Sequence, residues 1–240
     1  MRAVSSPAMA PDLSCRSEGV QVTLLVAGPA VAAILLVDAY RGLIGPSLTQ
    51  SAVMHAAWLI YSATCWMTVA IVWLWSRRRG IVHEVFAFRR PQGLDWIVAL
   101  AGTAFGVLAI FPFSQWISQQ LFGSGIRGMG FDAHQPGTLA AVILWAIVSA
   151  PFCEEVLFRG LAVAYLRARR WPAWAIGVMI TAAFAAIHYP YFGMGGVSLI
   201  FIWGAMIAVV RLWRNSLTPS WMIHIANNVI AFVLIPLLLR

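Results

Sequence analysis

The sequence contains no lysine; all sixteen of its fixed cations are arginine. Charge of either sign is scarce, at 10% of residues, where a soluble domain carries about 25%. Hydrophobic residues make up 61% and the mean hydropathy is +0.83. That much apolar surface cannot be hidden inside one 26.3 kDa core, so lipid is the solvent for much of the chain. Cysteine is also rare. Cys15, Cys65 and Cys153 form no CxxC pair, and an odd number at such spacings excludes a disulfide framework. Cys65 and Cys153 read as small apolar fillers. The chain has no HExxH motif, no internal repeat and no low-complexity tract. A pI near 10.4 suggests nucleic acid. The arginines sit at the ends of apolar runs, however, and not along one polar face, which excludes that partner.

Seven apolar runs are present, at about 21–38, 52–76, 95–113, 138–166, 172–188, 196–213 and 219–239. Most are long enough to cross about 30 Å of hydrocarbon as helices. The run at 172–188 is short, and the one at 138–166 is long enough to tilt, kink or protrude. The arginines test this division. Arg2 and Arg16 in the tail, Arg77, Arg78, Arg79, Arg89 and Arg90 in the second loop, Arg167, Arg169 and Arg170 in the fourth, and Arg211 and Arg214 in the sixth make twelve. Only Arg41, Arg127 and Arg240 fall on the other side. The bias places the N-terminus in the cytoplasm. Trp73, Trp75, Trp96, Trp171, Trp174, Trp213 and Trp221 fall near the same ends, as an aromatic belt does. The expected fold is an all-α, polytopic membrane bundle of about seven transmembrane helices. Residues 1–20 are read as a loose cytoplasmic tail and 21–240 as one membrane domain. The first run is read as an anchor, not a cleaved signal. Residues 114–137 are read as a flexible loop with a short amphipathic piece at 114–122.

Residues 153–160, CEEVLFRG, place Glu154, Glu155 and Arg159 inside the fourth apolar run. Each buried ionisable group costs roughly 2.5 kcal/mol or more unless paired or wetted. Glu155 and Arg159 are four apart, share a helix face and pair directly. A buried ionic cluster that holds helices together accounts for them. Glu154 is turned about 100° away, and a second acid beside a satisfied pair gains little from structure alone. Pro151, just upstream, removes a backbone donor and disturbs the turn above it. The carbonyls it frees suit a water-filled pocket, where irregular backbone is tolerated in a membrane.

The fifth run ends in FAAIH, with Phe184 and His188 on one face, and the last carries HIANN, with His224 and Asn228 on one face. Asn227 points elsewhere and reads as a hydrogen-bonding tie between helices. His55, His83 and His134 lie at run ends or in loops and receive no role. Across the last four spans these groups can take a proton from water and donate to a developing oxyanion. That combination inside a membrane points to hydrolysis of a peptide bond. Intramembrane Glu, Arg and His also occur in transporters, but there is no repeat and no pair of broken helices. A non-catalytic immunity or scaffold protein is the other alternative.

The ordered set EEVLFR (154–159), FAAIH (184–188) and HIANN (224–228) resembles the EExxxR, FxxxH and HxxxN motifs of the CPBP family. These are CAAX-processing and bacteriocin-processing intramembrane proteases, and they include the type II CAAX prenyl endopeptidases. The motif resemblance covers 138–240. It implies a multi-pass protein of the bacterial inner (cell) membrane, acting on a peptide or protein substrate that arrives from the bilayer or the cytoplasm. Carried over residue by residue, Glu154 activates water with His188, His224 and Asn228 form the oxyanion hole, and Glu155 and Arg159 are the structural pair. No cofactor is required by that reading. Glu154, His188 and His224 nevertheless make a His₂Glu set that suits a catalytic zinc. One tension accompanies it. Counted from the cytoplasmic helix ends, Glu154 lies roughly 18 Å deep, His188 roughly 24 Å and His224 roughly 8 Å. A single site needs tilt, a protruding fourth helix, or a last helix that starts inside a cavity.

Overall fold

Long runs without interior charge become long helices in the computed structural model, which describes residues 16–44, 49–123, 125–126 and 130–238. Helix α1 spans Arg16–Ile44 and passes unbroken through Pro29. Residues 16–20 therefore belong to a helix and not to a loose tail, while the rest of the expected tail lies outside the described residues. Helix α2 is Gln50–Arg78, begun by Thr49, whose side chain accepts from the Ala52 amide. A short helix, α3 (Val82–Val85), follows. Helix α4 runs from Gly93 to Phe122, so the third span absorbs the stretch 114–122 that the sequence suggested for a loop. Helix α5 is Pro136–Ala168, α6 is Ala173–Ala186, α7 is Tyr189–Arg214 and α8 is Leu217–Leu238.

Six of these helices are long and apolar enough to cross a membrane. The exceptions are the four-residue α3 and α6. The fourteen residues of α6 rise only about 21 Å, so it ends within the bundle, just before His188. Backbone breaks at Gly193, with φ +64° and ψ −170°, a conformation that favours glycine. From there α7 packs back along α6.

Helix α5 is the hub. It touches α1, α2, α3, α6 and α8. Of its central stretch 61% is buried, against 33% or less in every other spanning helix. Charges are tolerated on α5 because protein, not lipid, surrounds them. Its 33 residues rise about 50 Å, more than the hydrocarbon thickness, so it protrudes.

The protruding part meets a protein layer at the arginine-rich end. Residues 81–92 fold back beneath the bundle. A Cβ at Gly160 would overlap the Val85 carbonyl oxygen, so only glycine lets α3 approach α5 this closely. The Ala87 carbonyl accepts from the Leu217 amide (2.9 Å) and the Ser216 hydroxyl (3.2 Å). The Thr218 hydroxyl accepts from the Arg89 amide (3.0 Å) and donates to the Arg89 carbonyl (2.7 Å). These bonds satisfy the first turn of α8. Helix α8 thus starts buried, and the depth counted for His224 from its first residue is too small. Asp95 clamps the layer, taking Arg89 through both oxygens (2.6 and 2.7 Å), Arg214 at 3.1 Å and the Gln92 amide at 2.8 Å. Arg79 pairs with Glu18 at 3.2 Å, and Arg167 donates to Asn215 at 2.6 Å. The start of α1 and the second, fourth and sixth loops therefore share one end, as the arginine count requires. Trp221 departs from the expected belt and packs edge-on against Phe88 and Phe152.

Candidate active site

Glu154 sits where an α-helical stretch, 150–154, passes into a wide, π-helical one, 155–162. A second wide stretch, 143–149, precedes it. Such turns are common at functional sites. Pro151 explains part of this geometry. In the wide register the Ala150 amide donates back five residues to Trp145. The next carbonyl, Ala146, would be served by residue 151, but proline has no N–H. The side chain of Asn228 supplies that donor from α8, at 2.8 Å. A freed carbonyl on α5, expected from Pro151, thereby fixes an amide of the site.

The acid pair divides its contacts. Glu155 is fully buried and lies 3.4 Å from Arg159. It also lies 3.1 Å from Nδ1 of His224. A carboxylate beside a guanidinium accepts, so Nδ1–H donates and Nε2 is the atom of His224 turned to Glu154, 3.6 Å from Oε2. Arg159 has its guanidinium carbon 4.1 Å from the Phe184 ring centre and reaches the Gly204 carbonyl at 3.5 Å. Its own carbonyl accepts from Arg211 at 2.8 Å. Glu155 and Arg159 thus face each other one turn apart on α5, and Glu155 also holds an imidazole.

His188 closes α6. Its Nδ1 donates to the Phe184 carbonyl at 2.7 Å, which leaves Nε2 as the ring's acceptor. The ring is edge-on to Phe184 and stacked on Phe192. Two cavities meet at this histidine. One, of about 190 Å³, is lined by His188, His224, Asn227 and Asn228 and otherwise by apolar groups such as Phe111 and Phe232. The other, of about 420 Å³, is lined by Glu154, His188 and Tyr61, with Asp38 and Arg41 farther along α1. His188 and Phe192 belong to both. The wide stretches at 106–110 and 230–234 rim the smaller cavity.

All four groups singled out for chemistry thus converge from α5, the α6–α7 junction and α8, despite their unequal counted depths. Asn227 does not bridge helices through its amide nitrogen; that group donates to Ile223 of its own helix at 3.0 Å, and the side-chain oxygen faces Gly106. Two neighbours escaped the sequence reading. Trp203 is edge-on to His224, with ring centres 4.8 Å apart. The hydroxyl of Tyr61, on α2, donates to Oε1 of Glu154 at 3.0 Å. In the sequence Tyr61 is one of three hydroxyls in WLIYSATCW, with Ser62 and Thr64, and nothing there singles it out or names its partner.

The zinc expectation meets a misfit. Glu154 and His224 approach one another, but among the described residues no three His, Cys, Asp or Glu side chains group so as to hold a metal ion.

Fold and site together define a multi-pass membrane protein with an acid–imidazole–amide cluster buried in its helix bundle. Residues 136–230 match the family model described as Rce1-like, type II CAAX prenyl endopeptidase Rce1-like. The match spans α5, α6, α7 and the first part of α8, and all three motifs lie inside it. This agrees with the resemblance to the CPBP proteases. Helices α1 to α4 lie outside the match. Comparison with curated proteins and comparison with solved structures each returned no match.

Proposed function

We propose that the protein is an intramembrane endopeptidase in which Glu154, assisted by His188, activates water and His224 and Asn228 stabilise the oxyanion. The observation that carries this reading is the meeting of Glu154 and His224 at 3.6 Å, beside cavities that share His188. In the proposed reaction Glu154 takes a proton from water as its oxygen attacks the scissile carbonyl carbon. The carbonyl π bond opens, and the oxyanion receives N–H donation from the imidazolium form of His224, through Nε2–H because Nδ1–H is given to Glu155, and from the second N–H of Asn228. The C–N bond then breaks, and the proton held by Glu154 passes to the departing amine. The Nδ1 hydrogen bonds fix each ring's orientation: Phe184 holds His188, and Glu155 holds His224 with Arg159 behind it. The substrate is a peptide or protein segment entering from the bilayer or the cytoplasm, and the proposed setting is the bacterial inner (cell) membrane.

The test compares peptides released from membranes that contain the wild type or Glu154→Gln. The expected result is a set released only by the wild type, a loss of about a thousandfold or more in the variant, with equal thermal unfolding of the two proteins in detergent. Equal release would remove Glu154 from the chemistry. Cleavage that vanishes on complete metal removal and returns with zinc would replace direct activation by glutamate with metal catalysis.

A further inference from the structure

Tyr61 lies seventy-five residues before the matched segment begins at 136, yet its hydroxyl donates a hydrogen bond to Glu154. A chain of contacts between α2 and α5 holds it there. One turn before it, Trp58 stacks on Trp145, with centres 5.4 Å apart and planes 7° from parallel. One turn after it, the Cys153 thiol points at the Cys65 carbonyl, 3.7 Å away. The Trp66 indole donates to Ser149 at 3.1 Å. Phenylalanine would satisfy the packing of this apolar run as well as tyrosine does. The added hydroxyl carries a desolvation cost unless it is bonded, and its partner is the acid proposed to activate water.

The two oxygens of Glu154 therefore have different surroundings: Oε1 is held by Tyr61, and Oε2 is the one turned to His224. A phenol donates its proton here and does not compete for the proton of water. We infer that Tyr61 is a positioning residue, which tethers Oε1 of Glu154 and so holds Oε2 as the oxygen that takes the proton from water. The inference rests on the proposed hydrolase reading. It also makes helix α2 part of the machinery, although α2 lies outside the matched domain.

Two measurements on Tyr61→Phe test this. The first uses a fluorogenic peptide built on a sequence released only when Glu154 is present. Turnover is expected to fall about tenfold, with KM within twofold of the wild type and an unchanged unfolding midpoint. In a Glu154→Gln background the substitution is expected to add nothing further. The second needs no substrate. The infrared difference between the wild type and Glu154→Gln isolates the Glu154 carboxyl band, and the same difference in the Tyr61→Phe background is expected to show that band displaced. An undisplaced band overturns the inference, as does turnover that is unchanged or falls only in step with a lowered unfolding midpoint. If Glu154→Gln remains fully active, it is the hydrolase reading that fails, and the infrared result still reports whether the tether exists.

Discussion

Among the described residues carboxylates are buried in two places, and the surroundings treat them differently. At the arginine-rich end Asp95 is saturated: both oxygens face Arg89, one also meets Arg214, and the other takes the Gln92 amide. In the bundle interior Glu155 keeps Oε2 without a hydrogen-bond partner, and Arg159 keeps Nε and Nη1 without one, although the pair is only 3.4 Å apart. A charge cluster whose sole task is to hold chain segments together is expected to complete its bonds. The interior set instead extends from Arg159 through Glu155 and His224 to Glu154, ending at a gap of 3.6 Å beside open space. The saturated cluster ties a layer in place, and the incomplete one borders open space.

This contrast can be broken by experiment. Arg159→Met retains bulk but leaves Glu155 buried without a cation. It is expected to cost about 3–5 kcal/mol of stability, read by thermal or denaturant unfolding in detergent. Activity should disappear together with the folded protein. A stable, active Arg159→Met protein would mean that the pair is dispensable and that the interior cluster is not an electrostatic unit. Asp95→Asn is expected to cost about 2 kcal/mol, the scale of hydrogen bonds to one charged group. It loosens the layer beneath α8 while turnover per folded molecule stays near that of the wild type. Loss of turnover without loss of stability in Asp95→Asn would show that the layer tunes His224 and would erase the distinction between the two clusters.

The sequence showed much of the interior cluster, because its members are local. Glu155 and Arg159 are one helical turn apart, as are His224 and Asn228, and spacing alone puts each pair on one face. The common end of the arginine-bearing loops was equally readable, since positive charge stays out of hydrocarbon. What could not be read depends on contacts far apart in the chain. Tyr61 and Glu154 are separated by 93 positions, and the bonds from 87 and 89 to 217 and 218 cross almost 130. The depth conflict arose from that second set. Counting residues from the start of α8 assumes that the helix starts at the membrane surface, whereas residues 81–92 bury its first turn. Run boundaries misled for a related reason. Polar residues such as Ser114, Gln115 and Ser118 ended the third run on hydropathy, but Ser114 and Ser118 are buried in the structure and the helix carries on to Phe122.

The smallest expected effect is the most specific. The Ala146 carbonyl lacks a backbone donor in the wide register because residue 151 is proline, and Asn228 supplies one from another helix. Pro151→Ala restores an N–H at that position. The carbonyl would then have a donor from its own helix, and Asn228 would no longer be needed to satisfy it. In the wild type Asn228→Ala is expected to cost about 1 kcal/mol of stability through this lost bond. In the Pro151→Ala background the same substitution should cost less, and the difference between the two measures the coupling. Turnover separates the amide's two duties. If Asn228 also donates to the oxyanion, Asn228→Ala lowers turnover by a similar factor in both backgrounds, while its effect on stability shrinks in one. If the turnover loss shrinks in parallel with the stability loss, Asn228 serves only to hold the α5 backbone, and the oxyanion role falls to His224 alone.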